Sequence, residues 1–128
     1  MTPTDLSSIY RAYIARLNAR DLQGLAKFVH GDASHNGRPL GVSGYREMLE
    51  KDFRDIPDLF FDVELLVCEP PHVASRIRFD CSPAGQFLGL PVNGRHISFS
   101  ENVFYEFRDE KIVHVWSVLD KAAIEAQL

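Results

Sequence analysis

The sequence predicts an α+β fold: helices in the first half, a curved, mostly antiparallel sheet in the second. Three observations predict it. Apolar residues recur at helical spacing as far as Phe53, and from Phe60 the period drops to two. The chain then closes on two long strand-like runs, 94–107 and 112–119, around the charged turn Arg108-Asp109-Glu110-Lys111. Helices followed by a meander of strands form a single layered domain over 1–128, and helices on one face of a curved sheet leave a cone-shaped cavity between them.

The elements follow in order. Thr2 caps a first helix with Pro3 at its first position and Asp5 in its first turn, and Leu6, Ile9, Tyr10, Tyr13, Ile14 and Leu17 form its inner stripe. Asp21 reads as the cap of a second, shorter helix with Leu22, Leu25, Ala26 and Val29 inside. Residues 30–41, rich in Gly, Asn, Asp and Ser, read as a loop, and a third helix from Ser43 carries Tyr45, Met48, Leu49 and Phe53 and stops before Pro57. Phe61, Val63, Leu65 and Val67 alternate with Asp62 and Glu64 in a first strand. Pro70-Pro71 turns the chain into a second, where Val73, Ser75, Ile77 and Phe79 alternate with Arg76, Arg78 and Asp80. Both faces of the last two strands are apolar. Helices cover only one, so a second copy of the chain is expected on the other: a homodimer.

Composition narrows the function. With 128 residues, 45% hydrophobic, 25% charged and a net charge of −4, the chain has an ordinary globular balance. Its basic residues are scattered, which argues against nucleic acid. No apolar run approaches the roughly 20 residues of a membrane span, and Met1-Thr2-Pro3-Thr4-Asp5 lacks the positive region and apolar core expected of a signal peptide. Cys68 and Cys81 form no CxxC pair and read as free thiols, so the expected compartment is the cytoplasm. His30, His35, His72, His96 and His114 lack zinc-ligand spacing, and no metal or organic cofactor is expected. The partner that remains is a hydrophobic small molecule in the cavity.

Strand pleating puts Asp120, Val118, Trp116 and His114 on one face. A three-residue turn adds Glu106, Phe104, Asn102 and Ser100 to that face and sets Asn102 across from Trp116; a two-residue turn substitutes Tyr105, Glu101 and Phe99. The three-residue turn is the preferred reading. Asp120 either caps a C-terminal helix or acts as a general base in a pocket walled by Trp116 and phenylalanines such as Phe104. Capping lowers its pKa; apolar burial raises it. His35 and Asn36 are polar candidates in the 30–41 loop, His35 as a proton shuttle or oxyanion donor. Tyr13 is either a core tyrosine or a hydroxyl that polarises a carbonyl. Arg76 lies on a polar face, as a solvated or dimer-edge residue or a substrate contact.

Gly85-Gln86-Phe87-Leu88-Gly89-Leu90-Pro91-Val92-Asn93-Gly94-Arg95, the Asp109-Glu110-Lys111-Ile112-Val113 hairpin, Trp116, Asp120 and Gln127-Leu128 resemble the SnoaL-like polyketide (ester) cyclases of the nuclear transport factor 2-like superfamily. The resemblance implies a cone-shaped barrel under three N-terminal helices, usually dimeric and cofactor-free. It also implies that Asp120 is the acid/base, removing a proton next to a carbonyl so that the enolate closes a ring by aldol addition. His35 and Asn36 match a polar pair often found in the family's loop. The first helix is similar to that of the ketosteroid isomerases, whose oxyanion tyrosine matches Tyr13; their catalytic Asp falls at Gly37 here, against steroid isomerisation. Where many cyclases carry Gly-Thr-His, this chain has Cys81-Ser82-Pro83, a departure in substrate set. The alternatives are a non-catalytic ligand carrier, and a dehydratase or epoxide hydrolase.

Overall fold

The computed structural model describes all residues, Met1–Leu128. Helix α1 (Pro3–Asn18) starts at the expected cap. Thr2 Oγ1 accepts from the Asp5 N–H at 3.1 Å, and Asp5 Oδ2 accepts from the Thr2 N–H at 3.0 Å. Its stripe of Leu6, Tyr10, Tyr13, Ile14 and Leu17 is buried. The second helix is reduced to one 3-10 turn, Leu25–Lys27. Strand β1 (Val29–His35) follows and pairs with β2 (Arg38–Pro39), so residues 30–41 are a hairpin rather than a loop. Helix α2 spans Gly41–Asp55. Strands β3 (Asp62–Glu69), β4 (His72–Cys81), β7 (Ile97–Arg108) and β8 (Lys111–Leu119) form the expected meander. A small hairpin, β5 (Gln86–Phe87) and β6 (Leu90–Pro91), interrupts it, and the short α3 (Lys121–Glu125) closes the chain. Of the three N-terminal helices expected, the second and shorter one is therefore only the Leu25–Lys27 turn, and the third α-helix of the fold lies at the C-terminus.

The six-stranded sheet has the order β2-β1-β8-β7-β4-β3 and is antiparallel except where β1 runs parallel to β8. Helices α1 and α2 cover its inner face, and a single hydrophobic core lies between.

Two β-bulges decide which side chains point inward. Arg108 pairs with Lys111, so the terminal turn has two residues, Asp109 and Glu110, both at positive φ. Alone, that turn would put the odd-numbered residues of β7 beside Trp116. Val113 is an extra residue, however, and the register steps from Phe107↔Ile112 to Glu106↔His114. The even-numbered face expected from a three-residue turn is thereby restored, but Phe104, not Asn102, faces Trp116. A second bulge, between Val63 and Leu65, turns Leu65 and Val67 outward and packs Leu66 and Cys68 against the core.

Candidate active site

The even face of β7 and β8 looks away from the helices. Trp116 is 44% exposed, Phe104 58% and Val118 69%. The expectation that this face walls the cavity is corrected: the pocket wall is the odd-numbered face, with Phe99, Glu101 and Tyr105 of β7 and Val115, Ser117 and Leu119 of β8. Pleating explains the outcome, because odd residues of β7 meet the helices and the core requires its buried phenylalanines and Tyr105 there. Asp120 is exposed at the start of α3, where Oδ1 accepts from the Ala123 N–H at 3.1 Å, so its helix-cap geometry is present. On the outer face Arg76 donates through Nε to Glu64 Oε2 at 3.1 Å and through Nη1 to Asn102 Oδ1 at 3.0 Å. With Phe104, Leu65 and Val67 they line a shallow depression of about 320 Å³. The sequence-derived site residues thus divide into an outer set (Arg76, Asn102, Phe104, Trp116, Asp120) and an inner set (Tyr13, His35 and, behind it, Asn36).

The inner set borders a chamber of about 250 Å³ between α2 and the sheet. Sequence reasoning missed its two acids. On α2, Asp52 follows Tyr45 by seven residues and Met48 by four, so helical geometry places it in the buried stripe. On β7, Glu101 alternates with Phe99, Val103 and Tyr105 and so points inward. Each signal was readable in the sequence: a carboxylate on the apolar face of a helix, another at the inward parity of a strand. Beyond the pair opens an apolar annex of about 80 Å³ lined by Ile56, Leu59, Phe61, Phe79, Phe87 and Phe99. Asp52, Phe61, Glu101 and Leu119 border both compartments.

The chamber's electrostatics follow from burial. Partial removal from water pushes the Asp52 carboxyl up to about 6; Lys51 beside it lowers the value, and Asp55 adds to the rise. Burial also raises Glu101, with opposition from the Ser117 hydroxyl, which donates to Oε2, and support from the charge of Asp52. The charge of Asp52 thus bears on Glu101. Tyr13 and Tyr45, both buried, join their hydroxyls at 2.6 Å, and burial holds both phenols well above their ordinary value, so they stay neutral. One proton lies between the two oxygens, and the other hydroxyl hydrogen is free to donate. His35 is half-buried; burial first, then Arg38, lowers its pKa and keeps the ring neutral.

Asn36 positions this wall without lining it. It sits at φ 49° and completes the β1–β8 ladder with its side chain: Nδ2 donates to the Ser117 carbonyl at 3.1 Å, and Oδ1 accepts the Ser117 N–H at 2.8 Å. Ser117 is thereby fixed under Glu101. Asn36→Ala loses both bonds and the residue's tolerance of the left-handed region, and is expected to lower unfolding stability by about 1–3 kcal/mol in urea titrations.

The family model for the SnoaL-like polyketide cyclases matches residues 7–128. The crystal structure of a SnoaL-like polyketide cyclase from Agrobacterium tumefaciens is 53% identical, covers 99% of this chain and 98% of its own, and superposes with a TM-score of 0.95. TsrD from Streptomyces laurentii (21% identity, TM-score 0.85, 99% of this chain and 96% of its own) and IdmH from Streptomyces antibioticus (22% identity, TM-score 0.80, 95% and 96%) share the fold. No curated protein matches the chain. No helix is long and apolar enough to cross a membrane. A match across nearly the whole chain, together with a relative more than half identical, places it: this protein belongs to the SnoaL-like polyketide cyclase family.

Proposed function

We propose that the protein is a cofactor-independent acid/base enzyme. It abstracts a proton next to the carbonyl of a hydrophobic small molecule, with intramolecular aldol cyclisation as the model reaction. The observation that carries this reading is the inward-facing pair Asp52 and Glu101, in a chamber otherwise walled mostly by apolar and aromatic side chains. Two partly desolvated carboxyls that repel one another favour a state in which one is ionised and the other protonated, which is the division of labour that general base and general acid require. Glu101, oriented by Ser117, takes the proton from carbon. The free hydroxyl hydrogen of the Tyr13–Tyr45 pair meets the carbonyl oxygen as it becomes an enolate oxygen. The enolate carbon bonds to a second carbonyl carbon, and Asp52, protonated below about pH 6, returns a proton to the resulting alkoxide. In this reading the acid/base role that the resemblance gives Asp120 passes to the inner pair, and Asp120 serves α3.

The test needs no natural substrate. Wild-type protein in deuterium oxide is expected to speed loss of the proton signal next to the carbonyl of aryl ketones such as 1-tetralone, followed by NMR. Binding without any exchange across such a panel would leave the ligand-carrier reading in its place. A dehydratase could use the same acid pair; it would turn a β-hydroxy ketone into its ultraviolet-absorbing enone.

The outer sheet face is proposed as a homodimer interface, because Leu65, Val67, Phe104, Trp116 and Val118 form an exposed apolar surface on one sheet. Val118→Asp is expected to shift the protein from dimer to monomer in light scattering after size exclusion. A wild type that elutes as a monomer would refute the assignment.

A further inference from the structure

We infer that the substrate carries an anionic group, a carboxylate being the simplest, and that Arg38 selects it at the rim of the chamber. The inference deepens the proposed function and rests on the same chamber as the binding site.

Arg38 reaches the chamber through the geometry of the first hairpin. Asn36 and Gly37 form its two-residue turn, at φ 49° and 80°, and the strands on either side pair His35 with Arg38. Residues directly opposite in an antiparallel pair project to the same face, so the two side chains leave the sheet together, and both border the chamber. Of the side chains lining it, Arg38 alone is a permanent cation.

That cation is uncommitted within the chain. Arg16, Arg46, Arg76 and Arg78 each hold a carboxylate within 4.0 Å, at Asp21, Glu50, Glu64 and Asp80. Arg38 is exposed and has no such partner, although two carboxylates border the same chamber. Helix length carries Asp52 away, near the far end of α2, at about 1.5 Å per residue, and sheet topology separates Glu101. Arg38 is on β2 and Glu101 on β7, with β1 and β8 between them, so their backbones stand three strand spacings apart, about 14 Å along the sheet. Arg38 does bear on His35, its cross-strand neighbour.

The chamber is therefore polarised: a cation at the rim, apolar walls along its length and an acid pair at the far end. A neutral ketone satisfies the walls and the acids but leaves the rim empty. An amphipathic keto acid satisfies all three, with its carboxylate on the guanidinium and its enolisable carbon carried inward. Arginine suits the task because its planar donors match a carboxylate in a paired arrangement. At about 250 Å³ the chamber lies just below the roughly 300–1,000 Å³ typical of small-molecule sites. It suits an aryl keto acid better than a large fused polycycle.

Two arms test this separately from the acid/base chemistry. In the binding arm, calorimetry compares 4-phenylbutyrate with its uncharged amide. Wild type is expected to bind the acid at least tenfold more tightly; Arg38→Gln should lose that preference and keep its affinity for the amide, and Arg38→Lys should restore part of it. In the exchange arm, 3-benzoylpropionate and its methyl ester are compared in deuterium oxide. The acid is expected to lead in kcat/KM by tenfold or more in wild type and to lose that lead in Arg38→Gln. Equal affinity of wild type for acid and amide, or equal loss of both in Arg38→Gln, overturns the inference. An Arg38-dependent preference for the acid without exchange of any ketone upholds it and overturns the acid/base function.

Discussion

Glu101→Gln is expected to lower the rate of deuterium exchange by about 10²- to 10⁴-fold, the range supplied by a positioned general base. The substitution keeps the shape of the side chain and its contact with Ser117, whose hydroxyl can still donate to the amide oxygen. The loss should therefore appear in kcat with little change in KM, since in the proposed mechanism the ketone is held by the apolar walls and the Tyr13–Tyr45 hydroxyls. Comparable loss from Ser117→Ala is not expected, because that hydroxyl orients the base and takes no proton from carbon itself.

Asp52→Asn is expected to stabilise the fold at pH 8, against the usual tendency of substitutions to destabilise. The carboxyl is held at about 6 in the folded chain against an ordinary 3.8. A raised folded value means that the fold prefers the protonated acid: the favourable contribution is fully present below pH 3.8 and is lost as pH rises through 6. Integrated, the difference is on the order of 3 kcal/mol between the two protonation states. Water reaching the half-buried carboxyl brings the expected gain to about 1–3 kcal/mol at pH 8, shrinking towards zero at pH 4. Urea titrations of wild type and variant at the two pH values read this directly. A variant that is equally stable or less stable at pH 8 would mean that Asp52 is comfortably solvated and unsuited to its role. A site residue that weakens the fold it belongs to is the expected signature of a group retained for chemistry.

The fold was legible wherever the hydrophobic pattern carried it. The stripe from Leu6 to Leu17, the Tyr45 and Leu49 face, and the alternation of Val73, Ser75, Ile77 and Phe79 all reach the core as read. What escaped had weak or misleading patterns. β1 buries only Val29 and Ala33 among His30, Gly31, Asp32, Ser34 and His35, a composition that reads as loop until β8 supplies a parallel partner. The bulges at Val113 and near Leu65 escaped because one unpaired residue reverses facing without altering the local sequence signal. The grouping of side chains on the last hairpin survived the Val113 bulge, and what was misread is which of its faces meets the helices. Apolar Trp116, Phe104 and Val118 suggested a cavity wall, whereas the helix-facing wall contains an acid, Glu101, that a search for apolar surface passes over. Tyr13 and His35 could be named from their elements; their partners Tyr45, Asp52 and Glu101 lie on others, and only the packed structure joins them.

The central claim is that proton transfer belongs to the inward acid pair and not to Asp120 at the cap of α3. Deuterium exchange on one ketone, measured side by side for Asp120→Asn and Glu101→Gln, addresses it most directly. The expected result is exchange near the wild-type rate in Asp120→Asn and a loss of at least a hundredfold in Glu101→Gln. Exchange abolished in a folded Asp120→Asn protein and retained in Glu101→Gln would contradict the account and return the chemistry to the outer carboxylate.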